Sequence, residues 1–280
     1  MAATSTQDYE AELAALALSG DRAALENLIK HIHPAIFKIS QRFLLCPTDA
    51  EDATQEILMK VITHLSSFEG NSRFLTWVYS IASNYLRDIK RRQKPDHMTF
   101  DEFSLDLADG LAEEEYEGPD KILMEEEVRI GCTLAMLQCL DDDARMAYTL
   151  GEIFELDHNE AAAVMECSNS TFRKRLSRAR EKITDFMIAN CGIANSDNNC
   201  RCSKRVNKAI ETGRANPRQP AFSISLTKAK EFPEVLETIR RLEAQARVTA
   251  IYRAQSQPAP MENFTDWLRQ VLDEPEIISS

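Results

Sequence analysis

Between residues 173 and 182 six basic side chains stand against one acid, Glu181, a net of +5. Phe172, Leu176, Ala179, Ile183 and Phe186 recur at i, i+4, i+7, i+11 and i+14, one apolar stripe of an amphipathic helix. At about 100° per residue, Ser170, Arg173, Lys174, Ser177 and Arg178 fall on the other faces. Guanidinium and ammonium groups there can bond guanine edges or phosphates. A second stripe, Arg73, Trp77, Ser80, Asn84, Arg87 and Arg91, sets an aromatic among hydroxyl, amide and basic groups. That mixture suits single-stranded DNA, which needs a stacking platform beside phosphate contacts. A solvated basic face and a core Trp77 are the plainer alternatives.

The elements around these residues decide between the alternatives. Residues 161–166 read as a small-residue helix and 167–169 as a turn. Ser168, Asn169 and Ser170 are each able to cap a second helix starting near Ser170. Together they form a helix-turn-helix with a recognition helix for the major groove. The second stripe belongs to a helix over 73–92, with Phe74, Val78, Ile81, Tyr85 and Ile89 as its core side. Before it, 8–45 reads as two amphipathic helices broken at Gly20-Asp21. Pro47 stops the second, and Thr48 or Asp49 caps a third that runs to about Ser66. Ala53, Ile57, Val61 and Leu65 are its buried stripe. Asp49, Glu51, Asp52, Gln55 and Glu56 crowd its first turns, where carboxylates suit the helix dipole or form a docking face for a basic partner.

The chain has 280 residues, 44% of them hydrophobic, eight glycines and a net charge of −12. This is enough for two or three small helical domains. Residues 96–127 hold thirteen acids and one base, so the rest of the chain is nearly neutral, with bases clustered at 87–94, 173–182 and 201–218. No stretch is apolar for the length of a membrane span, and the first residues lack the basic and apolar blocks of a secretory signal. Seven cysteines, four of them apparently solitary (Cys46, Cys132, Cys139, Cys167), fit a reducing cytoplasm. No phosphate loop, carboxylate pair or nucleophile–histidine arrangement supports catalysis, so no enzyme is expected.

The stretch DAEDATQEILMKVITHLSSFEG followed by SRFLTWVYSIASNYLRDIKRR resembles region 2 of the extracytoplasmic-function (ECF) bacterial sigma factors, and residues 144–186 resemble their region 4. The resemblance covers roughly residues 10–187. It implies an all-α fold with two small helical domains, region 2 (8–94) and region 4 (128–187), joined by an acidic flexible linker (95–127). A helical C-terminal extension (188–280) follows. It also implies function: region 2 binds core RNA polymerase and opens the −10 element, and region 4 reads the −35 element. Carried over position by position, Asp49, Asp52, Gln55 and Glu56 would meet core polymerase. The 68–73 loop would take a flipped base, with Asn71 and Ser72 reading its edge. Arg73, Trp77, Ser80, Asn84, Arg87 and Arg91 would hold the −10 strand. Ser170, Thr171, Arg173, Lys174, Ser177 and Arg178 would face the −35 groove. Phe172, where the family usually has a smaller β-branched residue, and Asp88 depart from the pattern. The implied partners are core RNA polymerase, promoter double- and single-stranded DNA and an anti-sigma factor, with no membrane. The rival is a metal- or redox-responsive helix-turn-helix repressor that never touches polymerase; residues 48–94 would then have no use.

The linker's charge predicts an extended segment, with the helical pattern resuming at Glu125. In the extension, Cys191, Cys200 and Cys202 could give zinc or copper(I) three soft ligands, with no histidine after them to supply a fourth. Short basic helix 203–212, irregular 216–225, a long helix 231–254, a turn at Pro258 and Pro260, and a helix 262–272 complete the expectation. Phe264, Trp267, Leu268 and Val271 share one face of that last helix. The basic run 201–218 and the acidic linker are opposite in sign, and docking of one on the other is expected to regulate the chain in cis.

Overall fold

The structure, a computed structural model, describes residues 6–92, 98–222, 226–255 and 264–273. Among these residues the fold is helical, and the only bridge between extended segments is an isolated one pairing Cys191 with Cys200. The first four helices are α1 (Thr6–Leu18), α2 (Arg22–Leu44), α3 (Pro47–Thr63) and α4 (Phe74–Arg92). Gly20 adopts φ +94° at the break between α1 and α2, a conformation glycine takes without strain. Asp21 then caps α2, accepting from the N–H groups of Ala23 and Ala24 at 2.9 and 3.0 Å. Pro47 does not stop α2, which ends at Leu44; it opens α3 after Cys46, because the first helical position needs no N–H. The expected caps Thr48 and Asp49 lie inside α3.

Helix α4 buries a stripe rotated from the expected one. Phe74, Val78, Ala82 and Leu86 are buried at i, i+4 spacing, while Ile81, Tyr85 and Ile89 are half-buried. A second face, Tyr79 and Ser83, is also buried, with Tyr79 packed 5.3 Å from the Phe154 ring of the downstream module. Two neighbours on different sides explain the rotation.

Next come α5 (Phe100–Asp109), α6 (Lys121–Gln138), α7 (Asp142–Tyr148), a π turn (Thr149–Ile153), α8 (His158–Val164) and α9 (Asn169–Asn190). The linker expected as extended chain carries α5, and α6 begins before Glu125. A capping box starts α5: the Glu102 N–H donates to Thr99 Oγ1 at 3.2 Å, and the Thr99 N–H to Glu102 Oε2 at 2.8 Å. Phe103 stacks 5.5 Å from Phe186 on α9, so apolar anchors overcome the self-repulsion. At the π turn, a Cβ on Gly151 would stand 2.8 Å from Leu176; glycine lets the turn close on α9.

The extension adds α10 (Cys202–Glu211), α11 (Leu226–Arg240), α12 (Ala244–Arg253) and α13 (Phe264–Asp273). The expected long helix is two, α11 and α12, broken between Arg240 and Ala244 so that Ile239 and Val248 both reach the core beneath. The expected turn at Pro258 and Pro260 lies outside the described residues. Two apolar cores result. One joins α1–α4 to α8, the start of α9 and α13. The other joins α5, α6, α7, the end of α9, α11 and α12. Neither core stops at a module boundary.

Candidate nucleic-acid interface

Ser168 builds the recognition element by capping α9, its Oγ accepting from the Thr171 N–H at 3.2 Å. Helix α8 starts earlier than expected because Asp157 caps it, accepting from the Asn159 N–H at 2.8 Å. Ala161 and Ala162 are buried where α8 crosses α9, and Glu166 turns the chain at φ +50°. Phe172, Leu176, Ala179 and Ile183 are buried as their spacing requires. Phe172 therefore fills the space beneath the helix-turn-helix, 5.6 Å from the His158 ring, and does not project toward a groove. Ser170, Arg173, Lys174, Ser177 and Arg178 are exposed, and Thr171 is half-buried at the cap. The five exposed residues, with His158 and Arg180, surround an open cleft. Two bases of the run have internal partners instead: Arg175 pairs with Asp143, and Arg180 Nε donates to Glu152 Oε1 at 3.0 Å.

On α3, Asp49, Asp52 and Glu56 are exposed and Gln55 half-buried, on the side away from buried Ile57 and Val61. Burial, and after it the Glu56 and Asp52 carboxylates, push the neighbouring Tyr85 hydroxyl up.

The α4 face is different: another part of the same chain covers it. Arg73 forms a two-point ion pair with Glu160 of α8, its Nε 2.6 Å from Oε1, and this hydrogen bond holds the guanidinium pKa up. Asn84 Nδ2 donates to Glu166 Oε1 at 2.7 Å. Arg87 donates to Asp143 Oδ1 at 2.9 Å, and Asp143 binds Arg175 with its other oxygen. Trp77 is half-buried in a cluster with Phe68 and Phe74, at 5.6 and 5.5 Å. Ser80 donates to the Thr76 carbonyl at 3.2 Å. Arg91 pairs with Asp88, the acid that departs from the family pattern. In the preceding loop Asn71 and Ser72 are exposed, Asn71 donating to Glu69 at 2.8 Å.

The modules also share buried charge. Arg145 of α7 is fully buried and donates to four carbonyls, those of Leu137, Phe43, Leu140 and Gln138, at 2.8, 3.0, 3.0 and 3.3 Å. Lys38 of α2 lies 5.3 Å above the Phe154 ring, and burial pulls its ammonium down to about 8.

The basic run of the extension is docked on the acidic linker. Arg205 donates to the carbonyls of Asp106 and Leu107 at 2.8 and 3.1 Å, at the end of α5, and to the Asp106 carboxylate at 3.0 Å. Arg214 reaches the same carboxylate at 2.7 Å, and these cations hold it below its ordinary range.

Cys191 and Cys200 are paired through their backbones, and Cys202 and Cys132 of α6 lie near enough to feel the other thiols electrostatically, so Cys132 is not solitary. Burial raises each thiol, and the neighbouring thiols add to the effect at Cys132, Cys200 and Cys202. Cys132 lies far from the other three in sequence, so its spacing carries no signal of the cluster. Among the described residues no group of three or more His, Cys, Asp or Glu is set to hold a metal ion, and no helix is long and apolar enough to cross a membrane.

A four-helix module with an exposed acidic helix, followed by a helix-turn-helix with a basic outer face, is a two-module architecture of the kind that binds DNA. Residues 28–95 match Sigma-70 region 2, and residues 130–183 match Sigma-70 region 4. The chain is 30% identical over 181 residues to the RNA polymerase sigma-H factor of Pseudomonas aeruginosa, covering 64% of this chain and 93% of that one. It is 32% identical over 168 residues to the ECF RNA polymerase sigma-E factor of Escherichia coli K12, covering 59% and 86%. A structure of CnrH in complex with the cytosolic domain of CnrY superposes with a TM-score of 0.48 at 25% identity, covering 65% of this chain and 99% of that one. The chain belongs to the ECF sigma factors, which direct promoter-specific transcription initiation by RNA polymerase; it is not an enzyme. Residues 184–280 lie beyond both family regions.

Proposed function

We propose that this ECF sigma factor docks on core polymerase through Asp49, Asp52, Gln55 and Glu56 and holds the opened −10 strand with Asn71, Ser72, Arg73, Trp77, Ser80, Asn84, Arg87 and Arg91. It reads the −35 element with Ser170, Thr171, Arg173, Lys174, Ser177 and Arg178. The arrangement described above is its closed, DNA-free form, working in the cytoplasm where polymerase and promoter are. One observation carries this reading. Arg73, just before α4, and Asn84 and Arg87 on it, all read as DNA contacts, are each matched by an acid of region 4. Glu160, Glu166 and Asp143 stand where phosphates would, so the closed form excludes the strand and must open on polymerase. The extension restrains that opening in cis through its hold on α5. A separate anti-sigma protein and a soft metal at Cys191, Cys200 and Cys202 are not needed for this cycle.

The test is co-purification with core polymerase followed by a run-off transcript. Asp52→Arg and Glu56→Arg place like charges across a docking face and are expected to abolish both while leaving the helical circular dichroism unchanged. A repressor that ignores polymerase would fail to co-purify even as wild type. Full core binding by both variants would remove α3 from the interface.

A further inference from the structure

The turn from α9 to α10 brings two cysteines together through the backbone. Cys191 is the C-cap of α9, and Cys200 lies just before α10. Their backbones pair as a single parallel bridge, with the Gly192 N–H donating to the Cys200 carbonyl at 3.2 Å. Side chains of the intervening loop keep the bridge closed. Asn198 Nδ2 donates to the carbonyls of Ile188 and Cys191 at 2.9 and 3.3 Å, and Asn195 Nδ2 to that of Ile188 at 3.2 Å. Bridged backbones lie about 4.8 Å apart, inside the roughly 4.4–6.8 Å between Cα atoms that a disulfide needs. Both residues are half-buried, so a small reagent can reach them. Cys132 and Cys202 sit nearby without a backbone bridge to either.

We propose that Cys191 and Cys200 form a dithiol–disulfide modification site, oxidised by a low-molecular-weight disulfide. The Cys191 thiolate attacks one sulfur of the reagent disulfide, and the first reagent thiolate leaves, taking up the Cys191 proton. The Cys200 thiolate then attacks the Cys191 sulfur of this mixed disulfide, and the second reagent thiolate leaves with the Cys200 proton. The protein pair loses two electrons and two protons, and the reagent becomes two thiols. Cys191, the C-cap of α9, is taken as the attacking residue and Cys200, across the backbone bridge, as the resolving one. The product staples the end of α9 to the start of α10. Helix α10 carries Arg205, which holds α5 by its terminal carbonyls, so the oxidised chain keeps its linker docked. This site stands independently of the roles proposed for the DNA faces.

The experiment uses the full chain incubated with oxidised glutathione, alkylated, digested with trypsin and weighed. Cleavage after Lys182 and Arg201 leaves Cys191 and Cys200 on one peptide, 183–201, and puts Cys202 on another, 202–204. The expected product is peptide 183–201 lighter by two hydrogens, unalkylated at both cysteines and restored by dithiothreitol, with Cys132 and Cys202 still alkylated. Cys200→Ser is expected to trap glutathione on Cys191. Cross-links to peptide 202–204 or to Cys132, or no oxidation at all, would overturn the pair. Protection of all four cysteines by added zinc alone would overturn it in favour of a metal site. Hydrogen exchange over 100–109 is expected to slow several-fold on oxidation; unchanged exchange would refute the staple's hold on α5.

Discussion

At the scale of single residues, the groups proposed to read the −35 element differ from those that only shape the helix carrying them. Arg173 and Lys174 are exposed with Ser177 and Arg178 on the outer side of α9, whereas Arg175 and Arg180, identical in type and adjacent in sequence, are tied to Asp143 and Glu152. Arg173→Ala and Lys174→Ala should therefore each weaken promoter binding by about 1–3 kcal/mol where the side chain bonds a base edge. A residue that bonds phosphate alone should instead give a uniform loss across sequences and a shallower salt dependence. Binding isotherms on promoter duplexes at several salt concentrations separate the two outcomes. Unchanged binding by both variants would move the reading face elsewhere. The net of +5 visible in the sequence overstated the free charge, because helical periodicity shows which face a base is on and not which acid meets it.

At the scale of elements, two helices outside the matched family regions are held by few groups, and each can be tested through them. Asp106 of α5 is gripped by Arg205 and Arg214. Arg205→Ala should free α5, raising amide exchange over 100–109, while α6 keeps its protection. Exchange unchanged from wild type would mean that Arg214, the Ser104–Asn190 bond and the apolar contacts of Phe103 and Leu107 keep it docked without Arg205. Helix α13 lies on α2 with the Phe264 ring 4.0 Å from His33, whose Nε2 is buried without a partner. Burial lowers the His33 pKa from 6.5 to about 4. Its neutral form is therefore favoured in the folded chain, and the unfolded chain binds the extra proton between those values. The resulting stability is complete above pH 6.5 and is lost as pH falls toward 4, up to roughly 2–4 kcal/mol. In a Trp77→Phe background, Trp267 fluorescence should report release of α13 over that window, and His33→Leu should abolish the transition. A transition identical in both chains would assign it to other groups. Most of this level was legible. The apolar stripes and Asp, Ser and Gly punctuation marked α1–α4, α8, α9 and α13 within a few residues. Helix α5 was not, because its acid count signals repulsion while its anchors, the Thr99–Glu102 capping box and the distant Arg205, outweigh that only in the folded chain. The break between α11 and α12 carries no Gly or Pro, so no local signal announced it. Cys132 joined the thiol cluster only through the packing of α6 on α10.

At the scale of the whole molecule, the central question is how firmly region 4 sits on region 2. Three contacts hold the side proposed to face DNA: Arg73–Glu160, Asn84–Glu166 and Arg87–Asp143. Exposed pairs of this kind contribute about 0.2–1 kcal/mol each, so together they bias closure by an amount that polymerase or DNA can offset. Arg145, by contrast, is fully buried against carbonyls of both modules, including Phe43, and removing it would disturb folding as well as closure. Lys38 works the other way: over the Phe154 ring its ammonium is desolvated, and opening returns it to water. The acids of α8 and its turn are therefore the place to probe. Glu160→Gln with Glu166→Gln removes two of the charges facing α4 and leaves Asp143 and the buried groups in place. A strand that binds only the open form has its affinity reduced by the fraction open. The double variant should thus bind a single-stranded −10 oligonucleotide about three- to tenfold more tightly than wild type without core polymerase, which corresponds to about 0.7–1.4 kcal/mol. Its affinity for the −35 duplex should change little, since α9 keeps its cap and its outer bases. Donor and acceptor dyes on α3 and α9 should show a larger separation in the variant, and in wild type at raised salt, where exposed ion pairs are screened. Equal oligonucleotide affinity together with an unchanged dye distance would mean that Glu160 and Glu166 do not guard the α4 face. Closure would then rest on the apolar contact of Tyr79 with Phe154 and on the carbonyls gathered by Arg145.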